Sequence, residues 1–230
     1  MTSLRLVCLS ALVIVASGCA QLPQRDGAKA GPFFTPTNVK ATSAQLPANV
    51  RRVLLMPISA PGVAISEETL DNLDAVFLAE LNATARFEVV RLTRDHLAQI
   101  TGVRDIDSTA PLPAGFIDRL LNIYNDYAAD GIIFVDLTTY SPYPPLGLGV
   151  RTKLAHIRHS EILWAADLMF TAANPAVANS ARRHALKVAG PAGPADLSHT
   201  ILQNPTRFAG YAAAATFATL PTRIAPRVSD

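Results

Sequence analysis

His156, His159 and Glu161 are the only close group of side chains in the chain that could ligate a metal or relay a proton. If Val150–His159 is a strand, however, His156 and His159 point to opposite faces, leaving His159 with Glu161. Two ligands fall short of the donor set that zinc requires. The expectation is an exposed polar face, with no metal and no cofactor. Asp136 lies inside the apolar run GIIFVDLTTY, where a carboxylate either serves a site or must be satisfied by hydrogen bonds. Serine, aspartate and histidine occur elsewhere. They do not form a Gly-x-Ser-x-Gly elbow, a His-Glu-x-x-His helix, a phosphate loop or a dinucleotide fingerprint. No catalytic residue is assigned, and the chain is not expected to be an enzyme.

Cys19 carries a different chemistry. It follows Ala16-Ser17-Gly18, small residues at the end of an apolar run that has one basic residue, Arg5, before it. This arrangement resembles the lipobox of bacterial lipoproteins, in which the cysteine thiol takes up lipid and becomes the N-terminus. Leu6–Ala16 is too short for a membrane span, which needs about 20 apolar residues. Its polar continuation at Gln21 fits a cleavage site. The resemblance implies that residues 1–18 are a removed signal peptide and that Cys19 is the attachment site for acyl chains such as palmitate. Ala20, rather than aspartate, after the cysteine implies the outer membrane, with the domain facing the periplasm.

Half the residues are hydrophobic and 17% are charged, as in an ordinary folded domain. The net charge of +2 falls by one when Arg5 is removed, and the basic residues are scattered, so nucleic acid is not an expected partner. Cys8 lies in the leader and Cys19 carries lipid, which leaves no disulfide to stabilise the mature chain. Residues 19–48 contain four prolines (Pro23, Pro32, Pro36, Pro47) and no apolar periodicity. They are expected to be a flexible tether with a span of about 30 Å, and residues 49–230 a single α/β domain.

Within the domain, 52–58 is a continuous apolar run suited to a strand buried on both faces. Ser66 caps a helix with Leu70, Leu73, Phe77 and Leu81 on its buried stripe. A second strand at 87–92 leads to a short helix between Thr93 and Gly102. Pro113 opens a helix buried through Phe116, Leu120, Ile123 and Tyr127. Three strands follow at 131–140, 150–159 and 162–172, the last two as a hairpin about Ser160-Glu161. A partial helix near 180–188 and a helix from Pro205 to Pro221 complete the chain. The predicted order is β-α-β-α-α-β-β-β with a C-terminal helix, an α/β sandwich on a mixed sheet.

The phrases RRVLLMPIS, FEVVRLTRDHL, ADGIIFVDLTTY and LAHIRHSEILWAAD, in that order with helices between, resemble the core shared by three groups. These are the curli secretion-channel lipoproteins, the lipoprotein activators of peptidoglycan synthases and the N-terminal domain of the periplasmic Tol protein. The resemblance spans about residues 50–172. It implies a non-catalytic accessory that is held on the membrane by lipid and binds another envelope protein in assembly, secretion or wall synthesis. One alternative is a subunit of an oligomeric secretion apparatus, a homo-oligomer. Another is an envelope hydrolase with an unrecognised site. The channel members insert long hairpins, whereas Ser141 to Gly149 is short, and Arg151, Lys153, His156 and Arg158 interrupt any lipid-facing strand surface, so a pore is not expected.

For partner recognition the candidates are Tyr140, Tyr143, Pro144 and Pro145, in the turn-rich stretch Ser141–Gly149 and just before it. Two tyrosines on a proline frame lose little entropy on binding. Trp164, the sole tryptophan, fits a core position between hairpin and helix.

Overall fold

A computed structural model describes residues 26–122, 129–159, 161–190 and 197–223. Cys19 and the leader lie outside these residues, as do Ile123 and Tyr127.

The described chain begins with a single helical turn, Gly27–Ala30 (α1), and a short strand, Val39–Ala41 (β1). Arg52–Leu55 (β2) leads to Glu67–Ala83 (α2), where the Ser66 hydroxyl accepts from the Thr69 amide and Glu67 and Glu68 occupy the first turn. Free N–H groups at a helix start favour both an acceptor and negative charge. Glu88–Arg91 (β3) is followed by Arg94–Thr101 (α3), which Thr93 caps and Gly102 ends at φ 81°. Glycine takes this left-handed conformation at no steric cost. Phe116–Asn122 (α4) precedes three long strands, Gly131–Ser141 (β4), Gly147–His156 (β5) and Ile162–Thr171 (β6). Then come Pro175–Ala189 (α5), Leu197–Thr200 (α6) and Pro205–Phe217 (α7). Asn174 and Asn204 cap α5 and α7, each followed by a proline whose missing N–H has no helical partner to lose.

The strands form one six-stranded sheet in the order β1-β6-β5-β4-β2-β3. β2 runs parallel to β3 and β4, and the other pairs are antiparallel, so the sheet is mixed, as expected. Residues alternate between the two faces. Val53, Leu55, Ile133, Val135, Val150, Leu154, Trp164 and Phe170 join a large core under α2, α5 and α7. Leu54, Met56, Ile132 and Phe134 join a smaller core with Leu92, Leu97, Ile100 and Phe116. The run at 52–58 is thus buried on both faces. Leu70, Leu73, Phe77 and Leu81 are all buried, as the helical spacing predicts.

Three features differ from the sequence reading. From Asp26 onward the expected tether belongs to the domain. β1 pairs antiparallel with β6, the Phe34 amide donates to Ser180 Oγ at 2.8 Å, and Leu46 is buried with its amide on Thr222 O. Phe34 meets Phe170 at 5.2 Å, and the Arg183 guanidinium lies 3.6 Å over the Phe33 ring. A three-residue strand along a sheet edge is too short to show a periodicity. The second difference is the 141–149 stretch. β4 runs to Ser141 and β5 starts at Gly147, so only residues 142–146 connect them. Glycine at 149 lets the strands close at a register shift beside Leu137–Thr139, since a Cβ there would strike Thr138 Oγ1. Finally, the partial helix expected near 180–188 spans the whole of Pro175–Ala189.

Candidate functional site

The β4–β5 hairpin carries all four residues singled out for recognition, and the fold divides them. Tyr140 is half-buried against the large core, and that burial pushes its phenol up from the ordinary range. Tyr143 stands 79% exposed at the tip, with Pro144 and Pro145 exposed beside it. Leu146, the next residue, is fully buried and anchors the end of the turn. The tip is therefore one large aromatic ring on a proline frame, carried on ten- and eleven-residue strands paired along their length. Such an arrangement offers contact area with little conformational freedom to lose.

The second exposed surface is the sheet face away from the large core. Its row on β4, Ile132, Phe134 and Asp136, is covered by the 103–112 segment and α4. Beyond it the face opens over Arg151, Lys153 and Ala155 of β5 and Ala165 and Asp167 of β6, with Lys40 of β1 at the rim. Arg151 Nε meets Asp167 Oδ2 at 3.1 Å. A hollow of about 330 Å³ lies among Lys40, Ser108, Arg151, Lys153 and Asp167. Arg151 and Lys153, two of the charged residues that break the strand pattern in the sequence, thus lie on a solvated sheet face.

Asp136 is the anchor for the segment covering this face. It is 1% exposed, and its carboxylate accepts from the Ser108 amide at 3.0 Å and from the Ser108 hydroxyl. Lys153 Nζ donates to the Ser108 carbonyl while lying 5.0 Å from the Phe134 ring centroid. Burial raises the Asp136 pKa against the lowering effect of Ser108. Of the two readings for a carboxylate in this strand, the structure shows the hydrogen-bonded one.

His156 and His159 correct the strand geometry assumed above. β5 ends at His156 and residues 157–159 turn, which brings the two rings within 4.5 Å rather than to opposite faces. His156 is buried, accepts from the Arg158 amide at Nδ1, and faces Asn49 Nδ2 at 3.1 Å across Nε2. Its pKa is lowered, first by burial and then by His159. Among the described residues no group of three or more His, Cys, Asp or Glu side chains is placed to hold a metal. Trp164 is fully buried and its indole N–H donates to Thr219 Oγ1 at 3.1 Å.

The most elaborate polar cluster escaped the sequence reading. Arg94, at the start of α3, pairs with Asp71 and Asp74 of α2 and reaches Asp105 at 3.8 Å. Asp74 Oδ1 also accepts the Ile58 amide, and Ser59 Oγ donates to Asp105. The cluster closes the C-terminal end of β2, where open α/β sheets hold ligands. Here the space is filled by side chains. The available signal was an aspartate, Asp74, on the apolar stripe of α2 beside Leu73 and Phe77.

No protein-family model matches the sequence, and no curated protein matches it. Solved structures do. The PelC dodecamer from Paraburkholderia phytofirmans is similar at 12% identity and a TM-score of 0.37, over 59% of this chain and 82% of that one. Lipoprotein GNA1162 from Neisseria meningitidis is similar at 16% identity and a TM-score of 0.37, over 54% and 85%. The LpoB C-terminal domain from Salmonella enterica is similar at 14% identity and a TM-score of 0.33, over 52% and 82%. Each is a likeness of fold over part of the molecule.

Proposed function

We propose that this chain is a lipid-anchored outer-membrane protein whose periplasmic α/β domain docks another envelope protein, without catalysis of its own. The single observation that supports docking is the hairpin tip, where Tyr143, Pro144 and Pro145 project together from two long strands paired up to the turn. Tyrosine at such a position supplies an apolar body and a polar end, the combination that recurs at the centre of protein interfaces. Anchoring rests on Cys19 behind its run of small residues. No helix among the described residues is long and apolar enough to cross a membrane.

In this reading the lipid fixes location and the tip engages the partner. Because residues from Asp26 onward are tied to the domain, the reach from the membrane is set by the few residues after Cys19 and not by a long tether.

The test places a photo-crosslinking amino acid at position 143 in the full-length protein in intact cells, beside a Cys19→Ala control and a variant crosslinker at exposed Asp118. One envelope protein captured from position 143, absent from position 118 and lost with Cys19→Ala, supports the reading. Capture of the chain itself alone would replace it with self-assembly, and capture unchanged by Cys19→Ala would remove the role of the anchor.

A further inference from the structure

A cleft of about 380 Å³ opens between α2, α5 and α7 on the far side of the molecule from the open sheet face, with Ile201 at one wall. Its volume lies in the range of small-molecule sites. The lining is mostly apolar and small: Val76 and Ala79 of α2, Ala185 and Ala189 of α5, and Gly210 of α7. Val188, 74% exposed, forms an apolar rim.

One acid enters this surface. Glu80 lines both this cleft and a second, more open one of about 580 Å³ beside it. No described residue pairs with its carboxylate or donates a hydrogen bond to it. Burial alone pushes its pKa up, and the same surroundings push that of His184, across the cleft, down. Arg86 and Arg223 line the second cleft with Glu80 but donate to the Phe217 and Val50 carbonyls, so among the described residues this half-buried carboxylate meets no cation, an arrangement that a bound cation would relieve. Arg207, the one arginine of the cleft, is exposed and turned to Thr200 Oγ1.

We infer that this cleft binds a small cationic amphiphile, its apolar chain lying among Val76, Ala185, Val188 and Ile201 and its ammonium group on Glu80. The glycine at 210 keeps the space beside Glu80 open. A Cβ there would lie 3.7 Å from Glu80 Oε1, an ordinary contact, so atoms added beyond it enter the space beside Glu80. This inference is independent of the hairpin tip and of the partner it engages.

Octylamine is titrated calorimetrically into the full-length protein in lipid nanodiscs, with empty nanodiscs subtracted. Octan-1-ol and octanoate serve as the neutral and anionic comparisons. The expected result is saturable binding of octylamine that weakens about tenfold in Glu80→Gln, as loss of one charge contact implies, while octan-1-ol is unaffected by that change. Gly210→Leu should remove binding of both. Octylamine binding no tighter than octan-1-ol, or unchanged in Glu80→Gln, would overturn the inference, as would a preference for octanoate.

Discussion

Arg94 Nη2 lies 3.2 Å from Asp74 Oδ2, and the two side chains are 4% and 6% exposed. This buried pair joins the start of α3 to the middle of α2 at the end of β2, and it is completed by Asp71, Asp105 and the Ile58 amide. Burial raises the Asp74 pKa, opposed by the Ile58 amide, by Arg94 and by Arg91, whose Nη2 lies 3.8 Å from Asp74 Oδ2. Removing Arg94 leaves the buried Asp74 charge with only the Ile58 amide and the more distant Arg91 to compensate it.

Arg94→Met should therefore destabilise the domain by about 3–5 kcal/mol. The double change with Asp74→Asn should cost less than the sum of the two single changes, since the stranded charge is gone. Chemical denaturation followed by Trp164 fluorescence measures both. Additive losses would show that the pair does not act as a unit.

Asp136 gives a pH signature. Its folded-state pKa lies above that of the unfolded chain, so the folded state binds the proton more tightly. Stability from this group is then present at acid pH and falls as pH rises through the raised pKa. Asp136→Asn should flatten the stability profile in that window, read from unfolding midpoints across a pH series. An unchanged slope would assign the pH dependence to other groups, Asp74 first.

Ser108 holds the 103–112 segment on the sheet through its amide and hydroxyl on Asp136 and its carbonyl on Lys153. Ser108→Ala removes the hydroxyl alone and should cost about 1–3 kcal/mol. Faster amide exchange confined to this segment and α4 is the expected accompaniment.

The indole of Trp164 donates to Thr219 beneath the large core. Thr219→Val should cost about 1–3 kcal/mol by leaving that N–H unpaired. The tryptophan emission, which reports this site alone because the chain has no other tryptophan, should shift while the far-ultraviolet circular dichroism stays unchanged.

The amides of Phe34, Thr42 and Leu46 are hydrogen-bonded to Ala176 O and Ser180 Oγ, Leu163 O and Thr222 O respectively. Hydrogen exchange should find them protected in the native protein. Full exchange within seconds would return residues 33–46 to the flexible tether that their composition suggests.

What the sequence determined by itself were the elements whose signals are local. Ser66, Thr93 and Gly102 mark helix ends through hydrogen bonds within a turn of themselves, and Leu70, Leu73, Phe77 and Leu81 mark a buried stripe by spacing alone. The lipobox resemblance at Cys19 rests on local residues too, and Cys19 lies outside the described residues. What only the tertiary structure decided depends on contacts between residues far apart in the chain. Val39–Ala41 becomes a strand because the edge of β6 offers it hydrogen bonds. Tyr140 and Tyr143, three residues apart, part company because the fold packs one against the large core and leaves the other in water. Arg94 and Asp74 look like two surface charges until α2 and α3 close over β2 and exclude the solvent that would otherwise separate them.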